Sequence, residues 1–315
     1  MAYGMKGHVM VNFQNSYGTS NVASLTAVPV ISEALTLTID PLVETNMYSR
    51  IQESPYHEGQ HLVQGDINME AHPTNMGWFL KSGFGQVTTT SATGIQTHVF
   101  ETKSTDFDDR AAVDPMTMEV FRDVGSSYLY SDLMVNNLTL NIANGQFLSM
   151  TAGMIGGNMS RQAASTPTYE GARPFLWSQS SVSFNGAGIC EVADFTFTMN
   201  NNLEAQYVLC NTKTPYRIIR TGMQTVELSG TFRFNAHSYH QSFESQEEKS
   251  FVIHFLNDQS PHLLTIDIPL FRWKTFEPTM SGPGIIDAPF TAQAIYSTTS
   301  QTAARITLVN TQTYY

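Results

Sequence analysis

Cysteine is nearly absent: Cys190 and Cys210 are the only two in 315 residues, and neither stands in a C-x-x-C pair. That excludes a disulfide framework. The expectation is two buried, reduced thiols, because free cysteine packs as a small hydrophobe. Charge is also scarce, at 14% of residues, so Ser, Thr, Asn and Gln must supply most of the polar surface. Basic side chains are the rarer sign, 16 against 27 acidic, for a net charge of −11. Tight grip on phosphate needs clustered Lys and Arg, which argues against that class. A protein that nucleic acid slides past is still allowed. No stretch approaches the roughly 18 apolar residues of a membrane span, so no membrane insertion is expected. The opening MAYGMKGHVMVNF has no apolar signal-peptide core, which makes cytoplasmic synthesis the expectation.

Helical periodicity is nearly missing too. Strict alternation bounded by Gly, Asn, Ser and Pro recurs instead, the mark of half-buried strands. It is clearest in LTLTI (35–39), HLVQGDINME (61–70), MTMEVF (116–121), NLTLNI (137–142), FTFTM (195–199), TVELSGTFRFN (225–235), LLTIDI (263–268) and RITLV (305–309). Short helices are expected in two places, residues 74–82 and 238–249. Residues 163–181, rich in Ser, Thr, Pro and Gly, read as a linker.

The segments on either side of that linker resemble each other. LTLTI and FTFTM lie 160 residues apart, and at that offset Glu44 meets Glu204, Pro55 meets Pro215 and Tyr56 meets Tyr216. After five extra residues the match resumes at 165: Gly65 with Gly230, Ala71–His72 with Ala236–His237, and Trp78 with Phe243. The preserved order predicts an internal duplication, with domains at 1–165 and 166–315. Each should hold a strand-built core anchored by a helix aromatic, Trp78 and Phe79 in the first and Phe243 in the second. The first half carries 7 basic and 15 acidic residues, the second 9 and 12.

Catalytic chemistry is hard to find. HEGQH at 57–61 matches the zinc-protease pattern, but that motif needs a helix to point both imidazoles one way. Pro55 precedes it, Gly59 interrupts it, a strand pattern follows, and no third ligand is in place. The reading is a polar loop leading into a strand. Asp106, Asp108 and Asp109 lack the calcium-loop spacing and its closing Glu; a solvated acidic turn is expected. There is no G-x-S-x-G and no phosphate loop. No catalytic residue, cofactor site or metal site is expected.

Two stretches then carry a resemblance. TIDIPLFRWKTFEPTMSGPGIIDAPFTAQAIY with RITLVN, and PYHEGQHLVQGDINMEAHPTNMGWFLKSGFG followed by THVFETK and DPMTMEV, resemble the tail tube proteins of long-tailed, non-contractile bacteriophages. The likeness covers most of the chain. It implies a mainly β fold of two tandem β-sandwich-like domains, each flanked by one short α-helix. Larger members add an immunoglobulin-like domain, and none is expected here because Tyr315 follows the last strand closely. The resemblance further implies trimeric, pseudo-hexameric rings that stack into a tube in the virion tail, assembled in the host cytoplasm. Its partners would be other copies of the chain, a tape measure protein in the lumen, and terminator and distal tip proteins. DNA would be only passing cargo, and an acidic bore would let it pass.

The connectors 42–60 and 200–224 are long for loops without regular structure, and such loops are usually functional. In this architecture they become the ring–ring contact, with Glu44, Tyr48, Arg50, Glu53, Glu204, Tyr207, Lys213 and Arg217 as its candidate residues. The rival from another class is a carbohydrate- or receptor-binding β-sandwich of a virion. That rival should show clustered exposed aromatics and has no need of matching halves.

Overall fold

The computed structural model describes residues 3–48, 51–52, 56–280 and 282–315. Alternating sequence becomes strand almost throughout. The first half holds β1 (His8–Phe13), β2 (Thr26–Val28), β3 (Ser32–Glu33), β4 (Thr36–Val43), β5 (Tyr56–Glu70), α1 (Met76–Phe84), β6 (Gly85–Ala92) and β7 (Ile95–Thr102). It continues with β8 (Met116–Phe121), β9 (Ser127–Ala143), β10 (Ser149–Gly156) and β11 (Asn158–Gln162). The linker carries no strand from residue 163 to 179. Then come β12 (Ser180–Phe184), β13 (Ala187–Ile189), β14 (Val192–Asn200), β15 (Leu203–Gln206), β16 (Arg217–Arg220) and β17 (Thr225–Arg233). The chain closes with α2 (His237–Glu244), β18 (Lys249–Leu256), β19 (Leu263–Phe276), β20 (Asp287–Ala294) and β21 (Arg305–Asn310). Among the described residues the protein is mainly β with two short α-helices.

Every strand pairing is antiparallel. The first half runs β2–β1–β8–β9–β10–β5–β4. The second runs β13–β12–β18–β19–β20–β17–β14 in the same sense. In both, one long strand changes partners along its length, with register shifts of the bulge type. The first part of β9 pairs β8 and β11 and its last part pairs β10, while β19 treats β18, β21 and β20 alike. A bulge re-aims a strand in this way. The hairpin β6–β7 has no counterpart in the second half, and β7 pairs β21 across the halves.

Gly65 and Gly230 perform the same task in the two halves. A Cβ on Gly65 would lie 2.2 Å from the carbonyl oxygen of Ala34, and one on Gly230 would lie 2.3 Å from that of Asp194. Only glycine allows that approach. One apolar cluster runs through both halves, including Leu140, Phe197, Phe232 and Ile266.

The helices differ. α1, MGWFLKSGF, buries eight of its nine residues and stops at Gly85 with φ 78°; a glycine in that left-handed conformation is the usual C-terminal stop. Trp78 and Phe79 are both fully buried. α2, HSYHQSFE, begins four residues after β17, whereas α1 begins six after β5, and no residue of α2 is buried. Phe243 is therefore corrected: it packs half-exposed against the core's margin and does not anchor it. With only Tyr239 and Phe243 apolar, α2 lacks the side chains that α1 uses. Both cysteines are exposed, contrary to expectation. Cys190 sits between β13 and β14 and Cys210 between β15 and β16, in connecting segments at the surface.

Candidate functional site

The last part of β9 pairs on its far side with β14, Asn137 opposite Asn200 through to Ala143 opposite Asp194. This seam joins the halves into one sheet, β4–β5–β10–β9–β14–β17–β20–β19. Its core face is apolar, with Ile67, Ala152, Leu140, Phe197, Leu228 and Phe290. Its other face is polar. One row reads Asn68, Thr151, Thr139, Thr198, Glu227, Gln293, and the next reads Ser149, Asn141, Thr196, Ser229, Thr291, Thr275, each residue opposite the last. Directly paired residues share a face. Thr151 donates to Asn68 at 2.7 Å, and Thr275 and Thr291 share a hydrogen bond of 2.8 Å. The cations on or beside this face are already matched, Lys274 with Glu227, Arg233 with Asp287 and Arg272, opposite Gln293, with Glu248.

Both ends of the sheet are open edges. Among the described residues β4 pairs only with β5, and the last part of β19 pairs only with β20. The contrast with the seam is direct. Phe197 and Met199 of β14 are fully buried, while their matches by offset, Leu37 and Ile39 of β4, are half-buried and 42% exposed.

The connectors are more ordered than their sequence suggests. Residues 42–43 and 56–60 belong to a continued β4–β5 hairpin, and 200–224 contains β15 paired with β16. A polar two-stranded ribbon shows no core alternation, so its pattern reads as loop. β5 meets β10 only from Val63 onward, so the hairpin runs free of the sheet for seven residues, roughly 20 Å. It carries the exposed apolar side chains Leu42, Val43, Met47, Tyr48, Ile51 and Tyr56.

The two connectors touch each other. The Tyr207 hydroxyl donates to the His61 carbonyl at 2.9 Å, the His61 amide donates to the Lys213 carbonyl at 2.9 Å, and the Lys213 ammonium pairs with Glu58. The hydrogen bond from Lys213 holds the Glu58 carboxyl below the usual carboxylate range. Glu44 accepts from the Tyr48 hydroxyl at 2.5 Å and lies 3.5 Å from His57; the Tyr48 hydrogen bond, then His57, lowers its pKa. Glu204 is exposed on β15, and Arg217 donates to Gln206 at 2.8 Å within the same small hairpin. Arg50 and Glu53 lie outside the described residues. The crossing of Tyr207 and Lys213 onto β5 had no signal in the sequence, since it joins residues some 150 positions apart.

HEGQH lies on β5 rather than in a loop, a correction to the expected lead-in. Positions i and i+4 of a strand are about 13 Å apart, too far for one ion. His61 instead lies 2.9 Å from Glu58. No group of three metal-ligating side chains occurs among the described residues. Replacing His57, Glu58 and His61 together by alanine is expected to leave the melting curve nearly unchanged. Stoichiometric zinc in purified protein, lost in that variant, would overturn this reading. In the acidic turn Asp108 accepts from the amides of Arg110 and Ala111 at 2.7 and 2.8 Å, a turn-capping role.

At the end of the sheet away from the hairpins lie two clefts. One is lined by Val30, Ile31, Ser32, Glu33 and Val120, the other by Cys190, Val192, Ala193 and Ile253. Residues 30–33 correspond to 190–193 by the 160-residue offset, so the clefts repeat as the hairpins do. No helix among the described residues is long and apolar enough to cross a membrane.

A search of curated proteins finds no match. A family model described as phage tail tube protein matches residues 5–294. That span takes in the sheet, its seam, both open edges and both hairpins, and the chain belongs to the phage tail tube protein family.

Proposed function

We propose that this chain is a structural, non-enzymatic subunit of the tail tube of a long-tailed, non-contractile phage. Three copies close a ring, rings stack, and the genome leaves through the bore. The observation that carries the reading is the β9–β14 seam with its two unpaired counterparts. β4 corresponds to β14, and the last part of β19 corresponds to that of β9. The edge of one copy therefore suits the opposite edge of the next, by the contact that already joins residues 1–165 to 166–315 as duplicated domains. Such a heterologous contact generates a ring when its rotation closes. It also removes the edge strands, which are otherwise prone to uncontrolled pairing.

The polar face would line the bore. Its hydroxyl and amide rows offer DNA no spare cation, and the net charge of −11 is repulsive to phosphate. Stacking would use the hairpins at one end of the ring, with Glu44, Tyr48, Arg50, Glu53, Glu204, Tyr207, Lys213 and Arg217 in or beside the contact. The repeated clefts at the other end are placed to face them. The remaining partners would be the tape measure inside the bore and the terminator and tip proteins at the tube's ends, after assembly in the host cytoplasm.

Electron microscopy with mass measurement tests the reading. Rings of three chains, or tubes built from them, are expected from concentrated protein or with a tail-tip initiator. A monodisperse monomer under both conditions would sink it.

A further inference from the structure

The chain's own seam has a helix over it. A Cβ on Gly83, near the end of α1, would lie 2.8 Å from the Met199 methyl, with Val135 and Leu138 of β9 also in contact. Asn201, two residues on from Met199, donates its side-chain amide to the Gly83 carbonyl at 2.8 Å and to the Val135 carbonyl at 2.9 Å. The incoming strand thus fills the space under the helix and satisfies the carbonyl of its second-last residue.

α2 stands over the open edge in the same manner. His240 lies 6.3 Å from Phe276, the last residue of β19, and Tyr239 lies 5.1 Å from Phe232. On the outer side, however, Tyr239, His240 and Phe243 all remain half-exposed. On β4, the residue matching Met199 is Ile39, and it is exposed.

We infer that α2 is a clasp for a second copy of this chain, receiving the neighbour's Ile39 beside Phe276. The inference rests on the ring reading above and extends the chain's internal seam to the contact between chains. It also accounts for a difference between the two helix ends. The residue matching Asn201 is Pro41, which has no amide to offer a helix carbonyl. α2 instead closes on itself: the Ser245 amide and hydroxyl donate to the Gln241 carbonyl, and the Gln246 amide and side chain donate to that of Phe243. A helix end that is satisfied internally can exist before a neighbour arrives, as an assembling subunit requires.

Hydrogen exchange on the full chain, dilute and then assembled, separates this inference from the reading beneath it. Amides at 36–40 and 275–280 should slow on assembly if the edges pair, and those at 241–247 should slow with them, by about tenfold or more, if α2 is covered. Slowing at both edges with α2 unchanged would overturn the clasp and leave the ring. No slowing at either edge in assembled protein would remove both. In parallel, Ile39→Ser should raise the concentration needed for rings by about tenfold or more, with the melting temperature of the dilute chain unchanged. An unaltered assembly threshold in that variant would also overturn the clasp.

Discussion

Trp78→Ala is expected to cost about 3–5 kcal/mol of stability, as large-to-small changes of buried aromatics do. The indole is 1% exposed, stacks on Phe13 at 5.4 Å, and meets the Tyr315 ring edge-on at 5.7 Å. Collapse around the hole is restricted. A Cβ on the adjacent Gly77 would lie 2.2 Å from the Tyr315 ring, so that ring is already pressed on the helix backbone. The Tyr315 hydroxyl is also held, donating to the Thr74 carbonyl at 2.9 Å and accepting from Asn310 at 2.7 Å. A fall in melting temperature of roughly 5–8 °C follows for a chain this long. The residues proposed to meet a neighbouring chain are not touched, so rings should still form below the new transition. A melting temperature within 1–2 °C of wild type would show that α1 is not the anchor described here.

Shortening residues 45–53 to a tight turn should produce the opposite pattern. The segment lies past the last pairs of the β4–β5 hairpin, Leu42 with His57 and Val43 with Tyr56. Met47 and Ile51 are close to fully exposed. Loop length by itself matters little, since doubling it adds only about 0.6 kcal/mol of closure entropy. Monomer stability should therefore change by no more than about 0.5 kcal/mol. Tube growth should stop at single rings, because exposed apolar side chains at a hairpin tip mark a contact surface. Calorimetry and electron microscopy on the same preparation read both quantities. Tubes of ordinary length from the shortened chain would show that stacking is carried elsewhere.

The strands were legible because their sequences alternate apolar with polar residues. MTMEVF is β8 residue for residue, and the pattern at 137–142 marks the last part of β9. The start of β9 was not legible: from Leu129 to Val135 every residue is buried, so alternation vanishes where the strand is covered on both sides. The hairpins failed in the opposite sense, being covered on neither. α2 was visible as a helix but not as a shallow one, since its exposure depends on what lies beside β19. Pairing of edges is a property of register and topology, and no local pattern encodes it. The residues proposed for stacking were chosen by place in a loop, and the structure adds that Tyr207 and Lys213 brace β5 instead of standing free.

The β9–β14 seam alters the arithmetic of assembly. A ring of six separate domains would need five encounters before its last contact closes, and each encounter costs an estimated 4–15 kcal/mol in lost translational and rotational freedom. Joining domains in pairs makes every second contact intramolecular, at an effective concentration in the millimolar range for a short tether. The seam is formed when the chain folds, and only the junctions between chains depend on how much protein the cell holds. For the proposed three-chain ring, closure would vary with about the third power of subunit concentration, where six free domains would require the sixth. Rings should consequently appear over a broader range of expression levels, and partly built rings should have fewer ways to stall.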